Sequence, residues 1–292
     1  MMLVRIGIDI GGTKVRVGVV ESDGNVLRLS PKLDVTKYSK GEMLIDDIIQ
    51  MIHDILLPNE ELVGIGIGSP GPLDAERRRV LDTPNLTILQ HYPLVEHFEK
   101  QFNCPIKLNN DANVFALGEA NYGAAKGHRF VYGITLGTGF GNAFIWDGQI
   151  LDGSTGTATE FGNAPYGEYE FEDFLSGRGL ERCYTHFSGK KATGPEIYEL
   201  ASAGDELALS AWSEVGKALG TALIFIQKLL DPSIVVVGGS LAAGMKFMEP
   251  ALWDVLLPRQ WEAQKKSFKI VQSILGDSAP IVGAAALISL SD

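Results

Sequence analysis

Apolar residues along the chain fall into short continuous runs, which predict buried strands, and into longer segments with helical spacing. In the first part of the chain, strands are predicted over 3–10, 15–20, 62–68 and 105–109, and helices over 41–56, 92–102 and 111–122. The isoleucines of the 41–56 segment share one helical face, and Pro58 follows its end.

The second half of the chain continues this alternation. Loops are predicted over 152–170, helical segments over 171–187 and 195–203, a long helix over 206–230 and a strand over 233–237. A helix near 247–256, a strand near 268–274 and a helix from residue 280 close the chain. Because the strands are apolar along their length and alternate with helices, the pattern indicates α/β layers.

Two stretches of the chain repeat one order of features. Residues 7–27 and 133–151 each show a strand, a glycine-rich turn, a second strand, an Asp-Gly hairpin turn and a third strand. Two unrelated hairpins are the alternative, since Asp-Gly turns are common. The matching order favours an internal duplication, with a second domain beginning near residue 120.

Composition and charge narrow the classes of function. With 292 residues, 45% hydrophobic and 21% charged, the chain is typical of a globular enzyme of one large or two medium domains. Its formal net charge of -11 argues against nucleic acid as a partner, because phosphates require a basic face. The basic run Arg77-Arg78-Arg79 is interpreted as a solvated turn.

Cysteine use and the apolar runs predict a cytoplasmic protein. Cys104 and Cys183 provide neither metal-ligand spacing nor a disulfide framework, which fits a reducing compartment. The N-terminal residues do not have the pattern of a signal peptide. The longest apolar runs are far shorter than the roughly 20 residues needed to span a bilayer, so no membrane partner is expected.

Three glycine clusters follow predicted strands and raise the question of a phosphate site. The 7–14 cluster reverses the Lys-Thr order of a P-loop, and a strand rather than a helix follows it. The 66–71 cluster has dinucleotide-binding spacing but no amphipathic helix after it. Both of those motif assignments are rejected.

A phosphate held between two hairpin turns is the favoured alternative, because glycine lets backbone N–H groups approach phosphate oxygens. Tight hairpins without a ligand remain the structural alternative. The predicted nucleotide residues are Gly11, Gly12, Thr13, Lys14, Gly137, Thr138, Gly139, Gly238 and Gly239. The excess of glycine, 34 in all, is accordingly interpreted as mainly a set of loops around one cleft.

Asp9 ends the first predicted strand, beside the first glycine turn. A carboxylate there would hold Mg²⁺ directly or through water, because Mg²⁺ keeps several waters and few protein ligands. A turn-forming role for Asp9 is the alternative.

Six motifs occur in one order along nearly the whole chain: D-x-G-G-T-K from Asp9, G-S-P-G-P-L-D from Gly68, T-P-N-L from Thr83, N-N-D-A-N from Asn109, L-G-T-G-x-G from Leu136 and V-V-G-G-S from Val236. In this combination the chain resembles the ROK family (repressor, open reading frame, kinase) of sugar kinases and repressors, within the actin–hexokinase–Hsp70 superfamily.

The resemblance implies an α/β fold of two duplicated, ribonuclease H-like domains, with mixed sheets flanked by helices and a cleft between them. We expect a small domain over 1–119, completed by a C-terminal helix over 280–292, and a large domain over 120–279. ATP and Mg²⁺ as cofactors and a homodimer are likewise implied.

The resemblance also assigns residues to the sugar side. It makes Asp111 the catalytic base that takes the proton of a sugar hydroxyl, although an N-cap of the following helix is the plainer role. The predicted sugar-binding residues are Gly71, Asn85, Asn110, Asp111, Glu160, Asn163 and Glu172. For the glutamates, an exposed loop carboxylate is the alternative.

The chain departs from the family pattern at its zinc motif. The family's cysteine-rich segment is missing, and Asn163 stands where the family has a histidine that binds zinc and touches the sugar. No structural zinc is therefore expected, and asparagine cannot reproduce imidazole geometry toward a sugar hydroxyl.

The expected activity is ATP- and Mg²⁺-dependent phosphorylation of a hexose, by default glucose at the 6-hydroxyl. Fructose, mannose, allose and N-acylated amino sugars such as an N-acylmannosamine remain open as substrates. A non-catalytic sugar sensor and an actin- or chaperone-like ATPase are the alternatives from other classes.

Overall fold

The computed structural model describes residues 2–289, which form strands and helices in alternation. The strands are β1 (Met2–Ile10), β2 (Lys14–Val20), β3 (Val26–Leu29), β4 (Leu33–Asp34), β5 (Glu60–Ser69), β6 (Ile106–Asn110), β7 (Phe130–Leu136), β8 (Phe140–Trp146), β9 (Gln149–Ile150), β10 (Pro165–Tyr166), β11 (Tyr169–Glu170), β12 (Ile234–Gly238) and β13 (Lys269–Gln272). The helices are α1 (Gly41–Ile55), α2 (Leu94–Glu99), α3 (Asp111–Asn121), α4 (Gly177–Ser188), α5 (Gly194–Ser202), α6 (Glu206–Leu229), α7 (Met245–Leu256), α8 (Glu262–Ser267) and α9 (Ala279–Ala286).

The chain divides into two compact units that interleave along the sequence. The first takes its described residues from Met1–Gly127, Ala143–Ala158 and Ser273–Asp292, and the second consists of His128–Asn142 and Thr159–Gln272. The division therefore falls within β8, whereas the sequence places one boundary near residue 120.

The sheet of the first unit is mixed and has the order β3-β2-β1-β5-β6, with β4 also pairing with β2. Strands β1, β5 and β6 run parallel, while β2 is antiparallel to β1 and β3 is antiparallel to β2. In the same unit, the end of β8 pairs antiparallel with β9.

A row of glycines crosses this sheet, and α9 packs directly on it. Gly7 pairs with Gly18 on one neighbouring strand and with Gly66 on the other. A Cβ atom built on Gly7 would lie 1.9 Å from the carbonyl oxygen of Ile281, and one on Gly66 would lie 1.7 Å from that of Ala284. Only glycine lets the helix backbone approach the sheet this closely.

The other face of the sheet carries the larger apolar core. Because successive strand residues point to opposite faces, the neighbours of Gly7 point away from α9. Ile6 and Ile8 are completely buried there in one cluster with Ile45 and Ile48 of α1. Burying each such side chain stabilises the fold by roughly 1.5–3 kcal/mol relative to exposure.

The glycine excess is therefore not only a set of loops, because part of it serves close packing between elements. Many glycines lie inside strands and helices, where another backbone packs directly against them. In α6 of the second unit, for example, a Cβ atom on Gly216 would lie 2.3 Å from the carbonyl oxygen of Met248 in α7. Periodicity along the chain does not reveal this use, since the close partners are distant in sequence.

The sheet of the second unit has the order β13-β12-β7-β8, with β12 parallel to both β13 and β7. Helix α6 packs against α4, α5 and α7. The strands β1-β2-β3 and β7-β8-β9 repeat the order that the duplication predicts. In both copies an Asp-Gly turn precedes the last strand, with φ of 89° at Gly24 and 76° at Gly148. The predicted α/β class with two mixed sheets is thus confirmed.

Several element boundaries differ from the predictions. In the segment expected to be helical over 171–187, Phe171–Asp173 form one short 3-10 turn. Helix α4 begins only at Gly177, because the Ser176 hydroxyl accepts the N–H of Gly179 and caps the helix there. The segment expected as loop over 152–170 contains the β10–β11 hairpin. Strand β4 and helix α8 were not predicted.

Two further differences concern the lengths of helices. The helix expected over 92–102 is limited to α2, and the C-terminal helix ends with α9 at Ala286. Residues 290–292 of that predicted helix lie outside the described residues. Within residues 2–289, no helix combines the length and the apolar character that crossing a membrane requires.

Candidate active site

Three neighbouring parallel strands of the first unit end at one edge of its sheet. Asp9 is the last residue but one of β1, Gly71 follows the end of β5, and Asn110 is the last residue of β6. Asp111 then begins α3. Ligands of α/β proteins bind at this carboxyl edge of parallel strands, so the structure brings four predicted site residues to the expected place.

Asn110, rather than Asp111, is the N-cap of α3. The Asn110 side chain accepts the N–H of Ala112 at 2.8 Å. Oδ1 of Asp111 accepts the same N–H, also at 2.8 Å, so this carboxylate is held in one orientation at the first turn. The capping role that competed with catalysis for Asp111 thus belongs to its neighbour.

The two carboxylates of this edge both bind protons more tightly than ordinary aspartates. Desolvation raises the pKa of Asp111, although hydrogen bonds from backbone N–H groups act against it and part of its surface stays open to solvent. Desolvation and then repulsion by Asp111 raise the pKa of Asp9 to about 6. A carboxylate pair of this kind fits a base and a neighbouring cation ligand.

The first glycine turn lies directly against a predicted sugar residue. The N–H of Gly11 donates to the carbonyl of Lys14 at 2.8 Å and closes the turn. A Cβ atom on Gly12 would lie 2.6 Å from the carbonyl oxygen of Asn85. Thr13, Lys14 and Asn85 are exposed.

In the second unit the other two glycine clusters lie together on adjacent strands. The register of β12 and β7 pairs Gly238 with Thr135. Gly239 has a left-handed φ of 85°, and a Cβ atom there would lie 2.3 Å from the carbonyl oxygen of Leu136. This placement agrees with a shared role for the turns 137–139 and 238–239.

The start of α4 joins these turns, which the sequence analysis missed. The N–H of Gly177 donates to the carbonyl of Gly137 at 2.8 Å. The N-terminus of a helix favours negative charge, so its position beside a predicted phosphate turn fits that chemistry. The predicted helix start at 171 concealed this feature.

Glu172 is not a free loop carboxylate. Its Oε2 accepts the N–H of Phe140 at 3.0 Å, directly after the 137–139 turn, and its Oε1 lies 3.6 Å from the Arg178 guanidinium. Glu160 and Asn163 are exposed in the same unit. Burial, with the charge of Glu160 as the lesser cause, raises the pKa of Tyr132.

Aromatic rings hold together the segment in which the family's cysteine motif is missing. The ring of Phe171 stacks at 5.0 Å on that of Phe161 and at 4.9 Å on that of Tyr166. The Arg182 guanidinium lies 4.6 Å from the ring centre of Tyr169 and 4.8 Å from that of Phe174. Within residues 2–289, no three His, Cys, Asp or Glu side chains converge to hold a metal ion. The absence of a structural zinc stays a prediction.

The arginine run lies in a turn, as predicted, but Arg77 and Arg78 are not simply solvated, which corrects that part of the interpretation. The Arg77 side chain is only 16% exposed and pairs with Asp152 at 2.6 Å. Arg78 forms ion pairs with Glu96 and Glu99 of α2. Since Arg77 and Asp152 are 75 positions apart, no local signal could have joined them.

Comparison with known families decides which family the chain belongs to. The family model described as "ROK family" matches residues 5–290. The chain belongs to the ROK family. This agrees with the resemblance carried by the six motifs.

Two relatives of equal sequence identity to this chain carry different kinase names. The glucokinase of Thermotoga maritima is 30% identical over an alignment covering 97% of this chain and 96% of that protein. The N-acetyl-D-glucosamine kinase of Vibrio parahaemolyticus is also 30% identical, over 96% of this chain and 98% of that protein.

A solved ROK structure agrees with the fold. It is a ROK family glucokinase from Streptomyces griseus in complex with glucose and AMPPNP, with a TM-score of 0.81 and 28% identity over 98% of this chain and 99% of that chain. The fold is that of the ROK sugar kinases, and the chain is a sugar kinase of this family.

Proposed function

We propose that this ROK protein transfers the γ-phosphoryl group of ATP to a hydroxyl group of a hexose, by default the 6-hydroxyl of glucose. The observation that carries the proposal is the convergence of Asp9, Gly71, Asn110 and Asp111 at the carboxyl edge of β1, β5 and β6. In phosphoryl transfer the protein mainly positions groups and neutralises charge, and such an edge suits that task.

Asp111 is the general base of the proposed reaction. Its carboxylate takes the proton of the attacking sugar hydroxyl, while the N–H of Ala112 holds Oδ1 in place. Its raised pKa makes it a better proton acceptor than an ordinary aspartate, because a stronger base draws the proton more fully in the transition state. Asn110 and Asn85 hydrogen-bond the sugar in this proposal.

The glycine turns at 11–14, 137–139 and 238–239 bind ATP in this proposal. A Cβ atom on Gly137 would meet open space, so its backbone can be approached by a phosphate. Asp9 holds Mg²⁺, directly or through water, in this proposal. Burial and the neighbouring Asp111 raise the pKa of Asp9, and a bound cation would offset both effects. When bound, Mg²⁺ neutralises the charge of the phosphates.

The identity of the sugar is the finer part of the proposal. Support for glucose comes from the glucokinases among the relatives. N-acetyl-D-glucosamine kinases of similar identity make N-acylated amino sugars the second class of sugar to be tested. Fructose, mannose and allose complete the panel of sugars to be tested. Glu160, Asn163 and Glu172 are proposed to contact the sugar. Because Asn163 replaces the family histidine, we expect it to influence which sugar is preferred.

A coupled ADP-release assay over this panel of sugars tests the proposal, with wild type and Asp111→Asn compared. The substitution keeps the Oδ1 acceptor but removes the base, so we expect kcat to fall by about 10²-fold or more. Asp54→Asn, an exposed carboxylate of α1, is the matched control and should stay within about twofold.

Three outcomes would contradict the proposal. Sugar-independent ADP release would indicate an ATPase. Calorimetric sugar binding without turnover in the wild type would indicate a sensor. Near-native kcat in Asp111→Asn would remove the base assignment.

A further inference from the structure

The turn that carries Arg77 is fixed internally by one aspartate. Oδ1 of Asp74 accepts the N–H groups of Arg78 and Arg79 at 2.6 and 2.8 Å, and its carbonyl accepts the N–H of Arg77 at 3.0 Å. Arg77 has a left-handed φ of 56°, a conformation that costs energy in a residue with a side chain. The three arginines therefore leave this turn in fixed directions.

Arg77 reaches the loop over 152–158, unlike its two neighbours. Its Nη2 donates to Oδ1 of Asp152 at 2.6 Å and to the carbonyl of Gly156 at 2.9 Å. The N–H of Ala158 donates to the carbonyl of Asp152 at 3.2 Å. One guanidinium thus binds both the start and the middle of the loop.

The oxygen of Asp152 that binds Arg77 also faces the side-chain amides of Asn109 and Asn113, on either side of Asp111 in the sequence. Nδ2 of Asn109 lies 3.4 Å and Nδ2 of Asn113 lies 3.5 Å from it. Oδ1 of Asn109 in turn accepts from Nδ2 of Asn113 and from the N–H of Asn110, each at 2.8 Å. Asn109 and Asn113 are only 6% and 5% exposed. A rotation that left either buried amide without a hydrogen-bond partner would therefore cost free energy.

We infer that Arg77 and Asp152 are positioning residues that fix the Asn109–Asn113 amide pair and thereby the backbone that carries Asp111. The ion pair holds the Asp152 carboxylate inward, where it accepts from both amides. Without Arg77, a carboxylate that is already 40% exposed gains more by turning to water. The inference rests on the proposed kinase function.

Kinetics of Arg77→Met, with Arg78→Met as the matched control, test this inference. Met keeps the length of the side chain but removes the ion pair and the bond to Gly156. We expect kcat of Arg77→Met to fall about 10- to 100-fold, since a misplacement of about 1 Å costs up to about 10²-fold. KM for ATP should stay within about twofold, and Arg77→Lys, which keeps the charge, should recover part of kcat.

Hydrogen exchange distinguishes a local loss of positioning from a destabilisation of the whole protein. In Arg77→Met, amides in the peptides covering 109–113 and 152–158 should exchange faster, while those of α1 should not change. Unchanged exchange in both peptides, or unchanged kcat in Arg77→Met, would overturn the inference, as would an equal loss of kcat in Arg78→Met.

Failure of the proposed function gives a different result from failure of this inference. If the wild type does not release ADP with any sugar of the panel, the kinase proposal fails. If wild type is active and Arg77→Met is equally active, only the positioning role of Arg77 and Asp152 fails.

Discussion

Asp9 is a carboxylate whose protein surroundings oppose its charge. Desolvation and the nearby Asp111 raise its pKa from 3.8 to about 6. The folded protein therefore retains a proton at Asp9 in a pH range where the unfolded chain has lost it. A charged Asp9 costs stability, which is the usual relation between a functional site and the fold that carries it.

Asp9→Asn should stabilise the metal-free protein at neutral pH. Below about pH 4 the carboxyl is protonated in both states, and the penalty grows as pH rises to about 6, above which it is constant. The gain in unfolding free energy should be near zero at pH 4 and reach up to about 3 kcal/mol at pH 7. Urea unfolding in EDTA at both pH values measures it.

Asp34→Asn is the control with the opposite sign. Hydrogen bonds from Thr36 lower the pKa of Asp34, so its charge stabilises the fold and that contribution is lost as pH falls. Its substitution should lower stability at pH 7. A gain at Asp9 that is equal at pH 4 and pH 7 would contradict the electrostatic account.

Gly137→Ala should impair ATP use without destabilising the fold. A Cβ atom at Gly137 meets nothing within 4 Å, so the methyl group is tolerated by the protein and obstructs only a ligand. Loss of one or two hydrogen bonds to a charged phosphate should raise KM for ATP about 10- to 100-fold. Steady-state kinetics and thermal unfolding measure the two effects.

Gly194→Ala is matched to that variant, since its Cβ atom would also meet nothing within 4 Å. It begins α5, away from the glycine turns in the sequence, and both parameters should stay near wild type. A KM for ATP that is unchanged in Gly137→Ala would remove the turn from the nucleotide site.

At the scale of elements, the placement of α9 explains several glycines together. The helix lies on the Gly7–Gly18–Gly66 row of the sheet and against α3, which it meets through Gly283 and Gly118. At Gly7, Gly66, Gly118 and Gly283 the backbone of the facing segment occupies the space of a side chain, and at Gly18 the Ile281 side chain does so. Helix α9 thus belongs to the first unit by packing, although 145 residues of chain separate Gly127 from Ser273.

Gly283→Ala should destabilise the protein severely. Its Cβ atom would lie 1.6 Å from the carbonyl oxygen of Val114, and since that partner is backbone, the helices themselves must separate. We expect a loss of about 3 kcal/mol or more in unfolding free energy, at the upper end of overpacking effects. Chemical denaturation checks this, with Gly194→Ala again as control. A loss under about 1 kcal/mol would contradict this packing.

At the scale of the whole molecule, the chain keeps the ROK fold without the cysteines of the family's zinc motif. The rings around Phe171, which is 1% exposed, and the cation–π contacts of Arg182 order the segment that contains Glu172. Aromatic pairs contribute about 0.5–1.5 kcal/mol each beyond their buried area. Several such pairs stabilise this segment through its own side chains.

Metal removal should therefore affect activity and leave the fold intact. After EDTA treatment, the far-UV spectrum should be unchanged, and added Mg²⁺ alone should restore full activity, because in the proposed function Mg²⁺ neutralises the phosphates and has no structural role. Elemental analysis of the purified protein measures zinc. One zinc per chain, or a need for zinc to regain activity, would contradict the prediction.

The sequence by itself determined the features that rest on neighbouring residues. Apolar runs predicted the strands, the repeated strand–turn–strand order indicated the duplication, and six ordered motifs pointed to the ROK family. Asp9 was singled out because it ends a predicted strand beside a glycine turn, and Asp111 because it matches the family's catalytic aspartate in the N-N-D-A-N motif. The family and fold are confirmed, while the site residues stay predictions.

Only the tertiary structure decided which distant residues meet. Arg77 was interpreted as solvated because its partner Asp152 lies 75 positions away. The glycines under α9 and the stacked rings around Phe171 were hidden for the same reason. Local patterns record the period of a strand or helix, whereas close contact between distant segments depends on how the elements pack, and that packing is a property of the whole fold.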